Sequence, residues 1–386
     1  MSRLSVCLLF ALAAFSPQVA AIVPSPPQVN AVAWLLVDAE SGAVLAEHNA
    51  DMPLPPASLT KMMTSYILAR EIEEGRVSED AMVTISENAW SQNPVFKGSS
   101  LMWIEPGKDV SVADLQRGII ISSGNDSTVA IAEHIAGSEE VFAEMMNATA
   151  GKLGMLDTHY VNSHGLPHPD HLTTARDLAI LARAMIKHHP QQYAIYKEKE
   201  FTYNNIRQYN RNTLLSEDPS VDGLKTGHTE EAGYCLVTSA ERSGMRLISV
   251  VMGTDSKRTR KNETRSLLNY GFRFFETDTV FEAMTELDSV RVWKGSADAV
   301  PVGVVEATVL TFPRGRGEHL ITTVEVEDPL LAPLALGDTV GTVTLTLDGE
   351  TVHHAPLMAL AEVERGGLIK RLWDTLLMWI SSLFRA

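Results

Sequence analysis

The chain has 386 residues, 45% hydrophobic and 21% charged, which suits a globular protein of two or three domains with a large core. A formal net charge of -16 speaks against a general nucleic-acid role, because phosphate binding needs a basic surface. Only Cys7 and Cys235 are present, so no disulfide scaffold is expected.

The first residues read as a signal peptide, 1–21. Arg3 supplies positive charge, Leu4 to Phe15 an apolar stretch too short for a comfortable membrane span, and Val19-Ala20-Ala21 small residues for cleavage after Ala21. Export from a bacterial cytoplasm is implied, and Cys235 is then the one remaining cysteine. Val32 to Val37 predicts a strand, Asp38 to Gly42 a turn, and Ala43 to Glu47 the returning partner. Pro55 and Pro56 hold the next stretch extended. A helix is expected from near Ser58, with Leu59, Met62, Met63, Tyr66 and Ile67 on its apolar face. Ser111 to Asp114 resembles a capping box with Asp in place of Glu or Gln, opening a helix through Leu115, Ile119 and Ile120. Further helices are expected after Asn125 and over Thr174 to Ile186.

Beyond residue 230 the period changes. Tyr234 to Ser239 and Arg246 to Met252 read as adjacent strands, followed by a helix carrying Leu267, Leu268, Tyr270, Phe272 and Phe274. Early and late strands sharing one sheet against a helical cluster make the fold class α+β rather than doubly wound. A small β-rich domain is expected over 283–363, from strands at Val290 to Trp293, Val302 to Phe312, Leu320 to Val326 and Val340 to Leu347. Residues 368–386 predict an amphipathic helix, with Leu368, Ile369, Leu372, Trp373, Leu376 and Leu377 opposed by Lys370, Arg371, Asp374 and Arg385. Tryptophans beside basic residues suit a helix lying in a membrane interface; docking on the body is the competing reading.

Three short motifs carry the chemistry. Ser58-Leu59-Thr60-Lys61 puts a serine and a lysine on one helical face, where a neutral Lys61 amine can take the Ser58 proton. That requires a lowered lysine pKa, from burial or nearby cations such as Lys225. Ser123-Gly124-Asn125 lies between two helices: Ser123 suits a proton relay, and Asn125 suits holding Lys61 and a substrate amide. Lys225-Thr226-Gly227 offers a cation and a hydroxyl for a carboxylate, with a glycine where a substrate approaches closely. His228 is an adjacent residue of the site. Each motif alone reads equally as a helix start, a cap or a surface turn. Their order in the chain gives them weight together.

With these motifs, and with Asn93 to Ser100 and Val221 to Thr229 around them, the chain resembles the low-molecular-mass penicillin-binding proteins, the serine D-alanyl-D-alanine carboxypeptidases. The resemblance implies a catalytic domain over 28–282 of the penicillin-binding protein/β-lactamase-like kind, followed by a small β-sandwich-like domain and the terminal helix. It implies Ser58 as nucleophile, Lys61 as general base, Ser123 and Asn125 in the proton and substrate network, and Lys225 and Thr226 on the substrate carboxylate. Gly227 then lines the binding strand, His228 adjoins it, and Arg211 sits near the carboxylate region. The implied substrate is a peptidoglycan stem peptide ending in D-Ala-D-Ala, with β-lactams as covalent inhibitors and no cofactor or metal. The implied place is the periplasm, on the outer face of the inner membrane. A D,D-endopeptidase, a serine β-lactamase and a non-catalytic envelope scaffold are the alternatives; the Gly124 form of the second motif weakens the β-lactamase reading.

Other features read as structural. His159, His164, His168 and His171 are interrupted by Gly165, Pro167 and Pro169 and read as surface-loop histidines, not zinc ligands. Cys235 reads as a buried thiol. Trp34, Trp90, Trp103 and Trp293 read as core or domain contacts, and Arg314-Gly315-Arg316 as a solvated turn.

Overall fold

The structure is a computed structural model described over residues 23–384, so the leader and its expected cleavage point lie outside the described residues. β1 (Ala33–Asp38) and β2 (Val44–His48) form the early hairpin. β7 (Val221–Thr229), β8 (Gly233–Arg242) and β9 (Met245–Thr254) are the late strands. They join in one antiparallel sheet of order β2-β1-β9-β8-β7, with β7 on an edge. All six residues of β1 are buried because both faces are covered. Leu35 and Val37 face the larger core with Val237, Ile248 and Val250; Trp34 and Leu36 face the smaller one with Leu247, Val251, Leu267 and Leu268. Period-2 alternation therefore sorts residues between two apolar layers.

The larger core is roofed by α1 (Lys61–Glu73), α2 (Val112–Arg117), α3 (Asn125–Ala136), α4 (Glu139–Leu153) and α5 (Ala175–His188). Around them lie the hairpins β3 (Met82–Thr84)/β4 (Asp109–Ser111) and β5 (Glu200–Tyr203)/β6 (Ile206–Tyr209), and the short helices α6 (Pro190–Tyr193) and α7 (Leu214–Glu217). Ser111 accepts a hydrogen bond from the Asp114 amide, as a cap should, but the α-helix stops at Arg117. A wider π-type turn, Gly118–Ser122, carries Ile119 and Ile120 instead. α8 (Lys257–Phe274), capped by Ser256, closes the second face.

The β-rich part has a sheet of order β11-β12-β16-β15-β14 and a pair β10-β13. Its strands are β10 (Phe275–Phe281), β11 (Thr285–Arg291), β12 (Ala299–Val304), β13 (Thr308–Pro313), β14 (Leu320–Val326), β15 (Thr339–Leu347) and β16 (Glu350–Ala359). The single strand expected over Val302 to Phe312 is two, broken at Val305-Glu306-Ala307, and they pair with different partners. The Arg314–Arg316 turn is tied down: Arg314 donates to the Phe272 and Phe275 carbonyls, and Arg316 pairs with Asp348. A polar joint connects the two parts. Fully buried Asp38 accepts from the Glu40 and Ser41 amides and from Thr277 Oγ1 at 2.7 Å, while Thr311 Oγ1 meets Ser41 Oγ at 2.6 Å and Thr277 Oγ1 at 2.8 Å.

The terminal helix α9 (Leu368–Phe384) docks by its polar side. Asp374 accepts from the Lys294 amide at 2.6 Å, and Lys370 donates to Asp298 at 2.6 Å. Leu368, Ile369, Leu372, Trp373 and Leu376 stay exposed. Among the described residues no helix is long and apolar enough to cross a membrane.

Candidate active site

Pro56-Ala57-Ser58 enters a 3-10 turn, Ala57–Thr60, that runs directly into α1, so Lys61 is the first α-helical residue and Ser58 sits one turn ahead. Ser58 is half-buried and lines a cleft of about 440 Å³; Lys61 lies behind it, fully buried. The Lys61 Nζ has three neighbours: Ser58 Oγ at 3.2 Å, Asn125 Oδ1 at 2.6 Å and the His164 carbonyl oxygen at 2.6 Å. Burial lowers its pKa to about 7; Arg211 pushes the same way, against the carboxylates of Asp126 and Glu139. Much of the amine is therefore neutral at neutral pH. A neutral amine has two N–H bonds and one lone pair. Asn125 Oδ1 and the His164 carbonyl can only accept, so they take the two hydrogens, and the lone pair is left facing the Ser58 hydroxyl.

Asn125 is the first residue of α3, and the chain before it is shaped for that position. Ser123 adopts a left-handed conformation (φ 60°), which turns the backbone between the π-type turn and α3. Gly124 has ordinary dihedrals (φ -64°, ψ 122°). Its need for glycine is steric. A Cβ there would lie 2.6 Å from Ser127 Oγ, 2.7 Å from Asp126 Oδ1 and 2.9 Å from the Met102 amide nitrogen. Asp126 is buried, and its carboxylate accepts from the amides of Met102, Trp103 and Ile104. This ties the segment 99–104 to α3. In return, the Ser100 carbonyl accepts from the Asn125 amide and Ser99 Oγ from Asn125 Nδ2 at 2.8 Å.

On the opposite wall, β7 presents Thr226, Gly227 and His228 to the cleft. Lys225 is set behind the wall: it is 2% exposed, and its amine donates to Ser123 Oγ at 2.9 Å and to the Thr226 carbonyl. Burial, then Lys61, Arg211 and Arg260, push its pKa well down. The cations on the cleft wall are Arg211, Arg260 and Lys257. Arg260, on α8, is buried; its Nη1 donates to the Gly227 and Cys235 carbonyls, and its Nε has no hydrogen-bond partner. Sequence reading missed it, because one arginine in the basic run from Lys257 carries no local mark. Gly227 also has an internal reason to be glycine: a Cβ would lie 2.9 Å from the Pro56 carbonyl and 3.2 Å from Leu59. His228 is exposed and lies against Tyr234, the two rings tilted by 31° with centroids 3.9 Å apart.

The structure thus gathers Ser58, Lys61, Ser123, Asn125, Lys225, Thr226, Gly227, His228 and Arg211 around one cleft. The histidine-rich stretch belongs partly to it, contrary to a surface-loop reading. His164 and His171 are buried, at 5% and 2% exposure. His171 bonds Thr60 Oγ1 at 2.8 Å, and burial holds its pKa down to about 4. No group of residues suited to a metal occurs among the described residues. Trp103 is 46% exposed rather than a core residue, while Trp34 is core; Cys235 is buried, its thiol pushed up to about 11 by desolvation.

This geometry has known counterparts. The family described as D-alanyl-D-alanine carboxypeptidase matches residues 20–256, and the one described as penicillin-binding protein 5, C-terminal domain, matches residues 275–365. The chain is 46% identical over 383 residues to D-alanyl-D-alanine carboxypeptidase DacC of Escherichia coli (strain K12), covering 97% of this chain and 95% of that protein. The solved structure of penicillin binding protein 5 from Haemophilus influenzae aligns with a TM-score of 0.86 at 43% identity, over 89% of this chain and all of that one. A Ser-Lys pair beside a strand-walled cleft, its lysine fully buried, in a chain matched along nearly its whole length, places this protein in the family of serine D-alanyl-D-alanine carboxypeptidases.

Proposed function

We propose that this carboxypeptidase removes the terminal D-Ala from peptidoglycan stem pentapeptides through an acyl-enzyme on Ser58. The observation that carries the reading is the pair of acceptors on Lys61, Asn125 Oδ1 and the His164 carbonyl, each at 2.6 Å, which leave its lone pair for the Ser58 proton. The Ser58 Oγ–H proton passes to Lys61 Nζ as Oγ bonds to the penultimate D-Ala carbonyl carbon. The Ser58 and His228 backbone N–H groups receive the oxyanion. When the C–N bond breaks, the departing D-Ala amine takes the proton back from Lys61. A water then gives a proton to Lys61 and its oxygen to the acyl carbon. The ester bond breaks, and Ser58 Oγ is reprotonated.

The substrate's terminal carboxylate meets Thr226 Oγ1 and the guanidinium groups of Arg211 and Arg260, which line the cleft. Lys225 acts behind them, holding Ser123 Oγ. The extended peptide lies along the free edge of β7 as an added strand. Penicillins acylate the same serine. Incubating the protein with a pentapeptide and with a cross-linked muropeptide, followed by mass analysis of products and protein, tests the reading. Free D-Ala and an adduct on Ser58, both lost in Ser58→Ala, are expected. Cleavage of the cross-link alone would assign the endopeptidase activity instead.

The leader and α9 support a location. The apolar side of α9 faces outward while Lys370 and Asp374 hold the helix to the β-rich domain, an arrangement suited to lying in a lipid interface. The protein works in the periplasm, attached to the outer face of the inner membrane.

A further inference from the structure

The loop that follows Tyr160 sends two successive carbonyls into α1. The Ser163 carbonyl accepts from Thr64 Oγ1 at 2.7 Å, and the His164 carbonyl accepts from Lys61 Nζ at 2.6 Å. The other side of the same two residues is held by one carboxylate. Glu139 Oε1 accepts from the Ser163 amide at 2.9 Å and from Ser163 Oγ at 2.5 Å, and lies 3.4 Å from His164 Nε2. His164 Nδ1 accepts from the Leu166 amide, so the ring proton is on Nε2 and points toward Glu139. Burial pushes the His164 pKa well down, and the ring is neutral. Glu139 opens α4 behind the Ser138 cap, where the unpaired amides of a helix start favour a negative charge.

We propose that Glu139 is a positioning residue for the general base: through Ser163 and His164 it fixes the carbonyl that holds one Lys61 hydrogen, and so aims the amine's lone pair at Ser58. This rests on the reading of Ser58 and Lys61 as nucleophile and base. Asn125 Oδ1, the other acceptor, sits on a side chain braced by Ser99; the His164 carbonyl is braced by Glu139. If either acceptor drifts, the amine rotates and the lone pair leaves the hydroxyl. A misplacement of about 1 Å in such a site costs up to about 100-fold in rate. Glu139 also adds charge. The groups bearing on Lys61 are Asp126 and Glu139, which favour its protonated form, and Arg211, which opposes it. Lys225, His164 and His171 couple to the same amine. The charges bearing on Glu139 itself are Glu133 and Glu140, with the Ser163 amide and hydroxyl as its hydrogen-bond donors and His164 Nε2 3.4 Å away.

Two variants separate position from charge. Glu139→Gln removes the charge and weakens the grip on Ser163; Ser163→Ala keeps the charge and removes the 2.5 Å bond. The assay is the rate of acylation by a fluorescent penicillin across pH, normalised to folded protein by thermal denaturation. Both variants should lose about 10-fold from the high-pH plateau. Only Glu139→Gln should also move the acid limb, to lower pH, because a negative charge that favours protonated Lys61 has gone. Wild-type plateau rates per folded molecule in both variants, whatever their melting temperatures, would overturn the proposal and leave the Ser58–Lys61 reading intact. Absence of any adduct on Ser58 in the unmodified protein would remove that reading first, and this inference with it.

Discussion

Replacing Gly124 with alanine adds one methyl group at a crowded backbone position of the site. The dihedrals of Gly124 suit any residue, so the whole effect comes from contact. The new Cβ would have to share space with atoms now 2.6, 2.7 and 2.9 Å away, all closer than ordinary contact. Relief means moving the Asp126 carboxylate or the Met102 amide by roughly half an ångström to one ångström, as overpacked sites require. Either movement lengthens the 2.8 Å bond between them and loosens the segment whose Ser99 and Ser100 hold Asn125. Overpacking of this kind costs about 1–3 kcal/mol. In a domain of this size that lowers the melting temperature by about 3–10 °C. The catalytic cost should exceed what folding alone explains, because Asn125 is one of the two acceptors on Lys61: acylation by penicillin should fall at least about 10-fold per folded molecule. Differential scanning fluorimetry and gel-based penicillin labelling measure the two effects side by side. A Gly124→Ala protein that melts within a degree of wild type and labels at the wild-type rate would refute the steric argument.

The acylation rate should rise with pH through about 7, the value to which burial brings Lys61, because the neutral amine is the working form. At one unit below that midpoint the rate should be about a tenth of its plateau; a rate flat from pH 5 to 8 would deny Lys61 its role. Arg260→Ala should raise KM for a peptide ending in a free carboxylate by about 10-fold or more while leaving any turnover of the corresponding C-terminal amide unchanged. Equal losses on both substrates would make Arg260 a structural residue. Thr277→Val strips one hydrogen bond from buried Asp38 and should destabilise the protein by about 1–3 kcal/mol, read as a lower melting temperature, without altering acylation. Leu372→Asp and Trp373→Asp together should release the protein from phospholipid vesicles in a flotation assay with carboxypeptidase activity retained; undiminished flotation would reject the membrane role of α9.

Much of the fold was legible because its cues are local. Residues 32–47 announce a hairpin by period and turn chemistry, and Ser111, Thr174 and Ser256 lie at helix starts where their side chains cap an amide. α4 carries the same cues, Ser138 as cap, Glu139 and Glu140 in the first turn and Gly154 beyond the end. The site was legible where a side chain does the work: Ser58, Lys61, Ser123, Asn125 and Thr226 meet at one cleft. It was not legible where the backbone does. The His164 carbonyl could belong to any residue type, and only the fold brings it to Lys61. Lys225 shows the opposite difficulty: its residue type suggests an exposed wall cation, whereas packing places it behind Ser123. Arg260 reaches the cleft from a helix thirty-five residues later in the chain, and no spacing rule connects the two.

The position of β7 at the rim of its sheet has a consequence for drug resistance. A ligand docked along that strand is recognised by amide and carbonyl groups common to every residue. Changing the strand's side chains leaves those backbone groups in place, so a β-lactam that copies the peptide's backbone is hard to refuse selectively. On the proposed acylation of Ser58, mutations that spare the enzyme from such drugs should fall in the machinery that governs the lifetime of that ester, or at Lys225 and Thr226, whose side chains the strand contributes to the site.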